Sequence, residues 1–380
     1  TVNPKTIKIF NNGGAALPEG ISTPAPTDLI ENAIVIEGED DGSFGTNDLI
    51  IFYGRGTDFW EFDVGKNKYV RRHHPYSKKN YYWITSSGSD GKRMNKKSSY
   101  TGDASLIQTT TKAFTSMEDD KINIGKSGRD YWGDDFSLST NTRTYINNLS
   151  GRIDSEPIKY QMRFANAASK SIPIRIYEND NQIYSGTLSG YPTWENYMWG
   201  LASSFTVQYT GVLPENRSAL KFNLTASSPD SKAYIDYYEI EYKRDLKDDE
   251  ILFFAEEKQA AIEYQITFSS SNMGKLFDVT EHDNVEIIQE SSGGGQPVKY
   301  NVLENSDRFS KYIALITSKY KSIANIQKAE NSNINGFTAG VEYVIITDKK
   351  FEVQANRLAE YRQNESPNKL SSKVFFVDEI

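Results

Sequence analysis

The chain has 380 residues, of which 37% are hydrophobic and 25% charged, a composition typical of a folded protein with two or three domains. Its net charge is −8, with no lysine or arginine run longer than two, so it lacks the basic face by which proteins bind nucleic acid. It has no cysteine, which excludes disulfides and thiolate chemistry within these residues, and it has no apolar run of the roughly 20 residues that span a bilayer.

Up to about residue 330 the sequence predicts β-strands, because short runs rich in Tyr, Phe, Ile, Val and Thr alternate with Gly, Pro, Asn, Asp and Ser turns. Many runs alternate apolar and polar residues, which favours antiparallel sheets with one wet face. The predicted strands are residues 6–10, 33–38, 48–54, 79–86, 158–167, 172–180, 204–211, 219–226, 233–243, 251–255, 262–268 and 285–290.

Breaks in this pattern predict four regions. Residues 1–150 form a β-rich domain, and residues 151–290 form a β-sandwich domain whose strands between Pro157 and Arg244 are regular enough to fold as an autonomous unit. Residues 291–340 form a connecting segment that begins with SSGGGQP, a stretch that suits a linker or a long loop. Residues 341–380 start an α/β domain.

The last forty residues predict a strand, a helix and a second strand. YVIIT (343–347) and VFFV (374–377) flank a segment with Phe351, Ala355, Leu358 and Ala359 on one helical face and Asp348 as its N-cap. Such a βαβ unit has parallel strands. Parallel sheets are normally covered on both faces and contain more strands, so we expect further polypeptide to complete this unit.

Two predicted turns carry acidic or histidine side chains that could form a site. GEDDGSFGTND (38–48) gathers Asp40, Asp41 and Asp48 but lacks the spacing of a calcium loop, so an acidic turn is the better interpretation. His73 and His74 are adjacent, so on a strand they would point to opposite faces, and a polar turn is favoured over a zinc site.

His282 lies between Glu281 and Asp283, and with no nucleophile in evidence it is interpreted as a loop histidine, not a catalytic base. Two aromatic loops, SGRDYWGDDF (127–136) and YPTWENYMWG (191–200), could hold a sugar or could pin two sheets together. The residues predict no catalytic, cofactor-binding or metal-binding residue, and no cofactor.

Several blocks, taken in order, resemble the N-terminal region of the gingipain-like cysteine peptidases, and most closely the sortases of the bacterial type IX secretion system. The likeness covers nearly the whole chain. The blocks are NNGG, DLIENAI, GEDDGSFGTNDLIIFYGRGTDFWEFD, HHPYSKKNYYWIT, SGRDYWGDDF, AYIDYYEIEYKRDL, FDVTEHDNVEI, EYVIITDKKFEVQANRLAEYR and VFFVDEI.

The resemblance implies a mainly β chain of antiparallel sandwich domains followed by the first βαβ unit of a caspase-like α/β domain. In that family a Cys–His pair cleaves secreted cargo and, in the sortases, transfers it to anionic lipopolysaccharide. No histidine follows His282 and there is no cysteine, so no catalytic role is carried over. The implied role is to support the catalytic domain and to engage cargo, outer-membrane or secretion-system proteins at the cell surface, after export. The alternative is a non-enzymatic surface module that binds glycan or protein.

Overall fold

The computed structural model describes residues 2–20, 22–126, 128, 130–194, 198–269, 274–291, 295–305, 307–329, 334 and 340–379. The chain divides into two compact units, Thr1–Tyr320 and Lys321–Ile380. The first is built of mostly antiparallel β-sheets, and the second pairs two parallel strands with one α-helix. The predicted fold class, antiparallel β-sandwiches followed by a βαβ unit, is confirmed. Among the described helices, none has the length and apolar character needed to cross a bilayer.

The N-terminal strands form small sheets. The central sheet has the antiparallel order β2-β1-β7, and β3-β4 and β5-β6 are hairpins. The strands are β1 (Ile7–Asn11), β2 (Ile30–Asn32), β3 (Ile34–Glu37), β4 (Leu49–Phe52), β5 (Asp58–Asp63), β6 (Lys68–His73), β7 (Trp83–Ser86), β8 (Asn95–Lys97) and β9 (Leu106–Gln108).

The next nine strands form the first sandwich. One sheet has the order β10-β18-β13-β16, with β11 also paired to β18, and the other has the order β12-β17-β14-β15. Alternating side chains of both sheets, such as Ile174, Met162 and Phe222, fill one buried core. The strands are β10 (Thr110–Glu118), β11 (Asp135–Phe136), β12 (Thr142–Asn148), β13 (Ile158–Asn166), β14 (Ile172–Glu178), β15 (Asn181–Leu188), β16 (Leu201–Tyr209), β17 (Arg217–Leu224) and β18 (Ala233–Asp245).

Six further strands form the second sandwich together with two strands from the N-terminal part. The sheet orders are β19-β24-β21-β22-β8 and β23-β20-β9, in which β8 and β9 add in parallel. Their shared core includes Phe253, Tyr264 and Tyr300. The strands are β19 (Glu250–Phe254), β20 (Ala261–Ile266), β21 (Gly274–Asp278), β22 (Glu286–Ile288), β23 (Val298–Leu303) and β24 (Lys311–Ile316).

Strand pairing extends across the predicted divisions at residues 150 and 290. β10 is bonded along β18, and β12 is bonded along β17, so the first sandwich includes strands that precede residue 150. The segment predicted to connect, 291–340, supplies β23 and β24 to the second core. In the chain, its glycine-rich start follows β22 and precedes β23, two strands of the second sandwich. Residues 292–294 lie outside the described part. Division of the chain into independently folding domains stays a prediction.

The C-terminal unit contains β25 (Tyr343–Thr347), α1 (Glu352–Glu360) and β26 (Ser372–Phe376), with β25 and β26 parallel as predicted. The Asp348 side chain accepts a hydrogen bond from the backbone NH of Lys350 at 2.9 Å, so it caps the short 3-10 turn that leads into α1. Ala355 is buried, whereas Phe351 and Leu358 of the predicted apolar face are exposed.

Candidate functional site

Four sequence blocks that lie far apart in the chain meet at one polar cluster, here called the Arg55 joint (Asn11, Gly13, Arg55, Asn80 and His282). The Arg55 side chain donates from Nε to the Gly13 carbonyl at 2.6 Å. The Asn80 amide donates to the Arg55 carbonyl at 2.8 Å, and the Asn11 amide donates to the Asn80 side-chain oxygen at 2.7 Å. The joint therefore fixes the N-terminal strands to the loop after β21.

Gly13 makes this close approach possible. Its φ of +78° is a left-handed conformation, and a Cβ at this position would lie 2.7 Å from His282 Nε2 and closer still to the Arg55 guanidinium. Side chains larger than hydrogen are therefore excluded on both conformational and steric grounds. The NNGG block is explained by packing.

His282 is half-buried within the joint. Burial and the nearby Arg55 charge lower the pKa of His282. Its Nε2 is buried and has no hydrogen-bond partner among the described residues. Its backbone carbonyl accepts a hydrogen bond from Asn32 at 3.3 Å. Among the described residues, no hydroxyl group is hydrogen-bonded to the ring, and its interpretation as a loop histidine stays a prediction.

A buried lysine lies next to this joint and was not singled out from the sequence. Lys311, at the start of β24, is 9% exposed and donates to the Trp60 carbonyl at 3.2 Å. Burial lowers the pKa of Lys311 to about 8. The Arg55 guanidinium lies 3.9 Å from the centre of the Phe59 ring, with Lys311 at 5.9 Å from the same ring. These contacts attach the β5-β6 hairpin to the second sandwich.

The same hairpin contacts the first sandwich. Trp60 stacks on Phe114 of β10 with ring centres 4.5 Å apart. Arg71 bonds Asp58 of its own hairpin at 2.7 Å and Glu118 of β10 at 2.5 Å. The DFWEFD block is therefore a clamp between the two sandwiches, and its aromatic residues are used for packing.

The two histidines of the RRHHPYS block make different contacts. His73 Nδ1 is 3.3 Å from a carboxylate oxygen of Asp58. His74 Nδ1 accepts the backbone NH groups of Tyr76 and Ser77 at 3.1 and 3.0 Å. His74 therefore closes a polar turn.

The acidic turn at 38–48 satisfies its own backbone. The Asp48 carboxylate accepts the Gly45 NH at 2.7 Å, and the Asp41 carboxylate accepts the Ser43 NH at 2.9 Å. Asp40 is exposed and lies in the 3-10 turn Glu39–Asp41 at the start of this segment. Across the described ranges, no group of three or more His, Asp or Glu side chains is arranged to hold a metal ion.

The two aromatic loops differ in exposure. Trp132 is buried with Ala165 and Tyr234, and the Arg163 guanidinium lies 4.7 Å from its ring centre, so this tryptophan pins the end of the first sandwich. Trp194 and Trp199 are 79% and 61% exposed. Ser127, Arg129 and residues 195–197 lie outside the described residues.

The second sandwich contains a pocket of about 280 Å³ that sequence reasoning missed. We call it the Glu304 pocket because Glu304, at its base, is 5% exposed. Its lining residues are Lys97, Asp278, Thr280, Glu281, Asn284, Glu286, Leu303, Glu304, Asn305, Arg308, Ser310 and Tyr312.

Three hydroxyl groups hold the Glu304 carboxyl in place. Oε1 accepts from the Tyr264 hydroxyl and from the Tyr312 hydroxyl, the latter at 2.7 Å, and Oε2 accepts from Ser310 at 2.5 Å. Burial raises the pKa of Glu304, although these hydrogen bonds oppose the change. A sequence signal did exist, because Val298, Tyr300 and Val302 alternate inward and Glu304 continues the same face.

Comparison with known proteins supports the fold. No family model matches the chain, and no curated protein matches it. The chain is similar to the crystal structure of dimeric latent PorU from Porphyromonas gingivalis, with a TM-score of 0.79, 18% identity and coverage of 98% of this chain and 34% of that one. It therefore shares its fold with PorU over about a third of that chain's length.

Two carbohydrate-binding modules were also found. One is the CBM36-1 domain of a multidomain xylanase from the hindgut metagenome of Trinervitermes trinervoides, with 15% identity, a TM-score of 0.22 and coverage of 35% of this chain and 94% of that one. The other is a family 35 module from Clostridium thermocellum, with 13% identity, a TM-score of 0.22 and coverage of 34% and 90%. Scores this low carry no argument about fold or binding.

Proposed function

We propose that this chain is the non-catalytic region of an exported, gingipain-like sortase of the type IX secretion system, and that it supports the catalytic domain and docks partner proteins. The observation that carries the proposal is the fold match to latent PorU over 98% of the chain. The ordered sequence blocks are a second, independent support, since many of them lie at the Arg55 joint, in the hairpin clamp or in the βαβ unit.

The described contacts suit a supporting role. The motif residues Gly13, Arg55 and Trp60 are engaged in packing and hydrogen bonds that join sheets to one another. Rigid attachment of this kind positions a neighbouring domain, and it needs no reactive group in these residues. In the parent enzyme, peptide cleavage and transfer to anionic lipopolysaccharide would use a Cys–His pair outside this sequence.

The C-terminal unit supplies the surface for that support. Val344 and Ile346 of β25 are 51% and 62% exposed on the same face of the sheet, because alternate residues of a strand share a face. Parallel strands are normally covered on both faces. In the proposed function, the catalytic polypeptide packs on this apolar face.

The test uses the natural protein produced by its source cells, with substitutions introduced into it. Ile346→Lys is expected to lower thiol-dependent cleavage of a cargo peptide at least tenfold, because a charge would enter the covered face at a cost of about 2 kcal/mol or more. Lys349→Glu, an exposed position just after the same strand, is the matched control and should retain activity. The proposal would be contradicted if the natural protein showed no thiol-dependent cleavage, or if the two variants were equally active.

A non-enzymatic glycan-binding module is the second candidate, favoured by the exposed side chains of Trp194 and Trp199. Aromatic rings of this kind can stack on sugars. Trp194→Ala should then abolish retention on surface polysaccharide from the source cells, while Leu138→Ala, another exposed apolar position, should not. Equal retention of both variants would exclude it.

A further inference from the structure

The Glu304 pocket has an acceptor at its base that the protein leaves unused. A carboxylate oxygen accepts about two hydrogen bonds. Oε1 of Glu304 has two hydroxyl donors, whereas Oε2 has only Ser310 among the described residues. One acceptor position of a side chain that is 5% exposed is therefore available at the pocket base.

Two further carboxylates of the wall have acceptor capacity to spare. Asp278 Oδ1 accepts the backbone NH and the hydroxyl of Thr280 at 3.0 and 2.5 Å, and its Oδ2 has no partner in the described part of the chain. Glu286 makes no side-chain hydrogen bond or ion pair within the described ranges. These three carboxylates come from β21, β22 and the loop after β23, and Asp278 and Glu286 are directly paired across their two neighbouring strands.

The positive charges of the wall do not neutralise these groups. Arg308 pairs with Glu281, and Lys97 forms no ion pair with any described carboxylate. A pocket with an unpaired excess of acceptors attracts a cation, and it repels an anion. Leu303 at the wall is 55% exposed and offers apolar surface for a hydrocarbon stem.

We propose that the Glu304 pocket binds a primary ammonium group, namely the lysine side chain of a partner polypeptide. An ammonium has three rotatable donors, which suits three acceptors on separate elements, whereas a guanidinium prefers one bidentate carboxylate. A volume of about 280 Å³ lies below the usual range of about 300–1,000 Å³ for drug-sized ligands, and it suits a side chain. The site is independent of the proposed sortase role, since it requires no catalytic domain.

The experiment titrates the full chain with n-butylammonium chloride at low salt and follows backbone amide NMR signals. Saturable shifts at residues 278–286 and 303–312 are expected, with a Kd of about 1 mM, a value typical of a ligand of this size. Neutral n-butanol, which has the same stem without the charge, should give no saturable shift. Added salt should weaken binding through screening.

Two variants test the electrostatics in opposite directions. Glu286→Gln should weaken n-butylammonium binding about tenfold, since it removes a charged acceptor, and Lys97→Gln should strengthen it severalfold, since it removes a repelling charge. Glu257→Gln, an exposed carboxylate outside the pocket, should leave the Kd unchanged. Thermal unfolding of each variant confirms that it is folded.

Several results would overturn the proposal. They are non-saturable shifts, equal shifts with n-butanol, equal weakening by Glu286→Gln and Glu257→Gln, or weaker binding in Lys97→Gln. Saturable binding of sulfate at the same amides in place of n-butylammonium would assign the pocket to an anion and would also exclude the ammonium proposal.

Discussion

The two sandwiches each bury a glutamate at or just after the end of an alternating strand, and they use it differently. In the first sandwich Glu178 is fully buried, and its carboxylate accepts the Tyr160 hydroxyl at 2.6 Å, the Ser218 hydroxyl at 2.7 Å and the Ala219 NH at 2.8 Å. In the second, Glu304 also accepts tyrosine and serine hydroxyls but lines a pocket.

The difference shows that enclosure decides what a buried carboxylate can do. Glu178 has donors to both oxygens, including a backbone NH, so it acts as a structural anchor between β13, β14 and β17. Glu304 has the same number of donors, three, but it lines an open pocket, so its remaining acceptor capacity is within reach of a ligand. An enclosed network of this kind confers rigidity, whereas the same kind of network beside a cavity leaves an acceptor that a ligand can reach.

The sandwiches also differ in how their strands are distributed along the chain. The largest expected effect is therefore on the folding of isolated fragments. Residues 110–245 contain every strand of the first sandwich, so this fragment should unfold cooperatively in urea. Residues 157–244 lack β10, β11 and β12 and should be unfolded, because β10 bonds along β18 and β12 along β17. Circular dichroism during urea titration provides the measurement.

The matching fragment of the second sandwich, residues 246–316, lacks the added strands β8 and β9. It should be less stable than the 110–245 fragment or unfolded. A cooperative transition for residues 157–244 alone would contradict the shared-sheet account and support the shorter sandwich predicted from the sequence.

The second-largest expected effect is the loss of stability when each of the two glutamates is replaced. Glu178→Ala should lower the free energy of unfolding by about 3 to 5 kcal/mol, because it leaves two hydroxyls and a backbone NH buried without an acceptor. Glu304→Ala should cost about 1 to 3 kcal/mol, because water entering the pocket can accept from the freed hydroxyls.

Chemical unfolding of the full chain measures both changes, with Glu257→Ala as the exposed control, for which a change within about 0.5 kcal/mol is expected. Equal losses of unfolding free energy for Glu178→Ala and Glu304→Ala would show that the pocket gives water no access to Glu304. The two networks would then not differ in their exposure to solvent.

The smallest effect is a pH dependence. Burial raises the pKa of Glu304 in the folded protein above its unfolded value, so the folded state holds more protons between the two pKa values. Stability from this group is then complete below the unfolded pKa and declines as the pH rises through the folded pKa. Glu304→Gln, which cannot ionise, should become more stable relative to the unmodified protein as the pH increases.

Urea titrations of both proteins across about pH 4 to 8, the range that spans carboxyl titration, measure the difference. A difference that does not vary with pH would mean that Glu304 has the same proton affinity in both states. Glu257→Gln provides the control for changes in overall charge.

The sequence predicted much of the local structure and little of the site. YVIIT and the inward Ile172, Ile174 and Ile176 of β14 follow apolar patterns that identify strands from neighbouring residues alone. The same alternation extends to Glu178 and to Glu304, so their inward direction was available from the sequence. What each would meet there was not, because its partners Tyr160 and Tyr312 lie on other strands.

By itself, the sequence determined the class of many segments: antiparallel strands such as β13 and β14 first, then a strand, a helix and a parallel strand, with no thiol in any of them. The tertiary structure alone decided which segments share a sheet, such as β8 with β22 and β10 with β18. Local periodicity depends on the backbone repeat of a few residues, whereas sheet partnership depends on the burial of side chains from distant segments. That partnership closes the space around Glu178 and leaves the pocket beside Glu304.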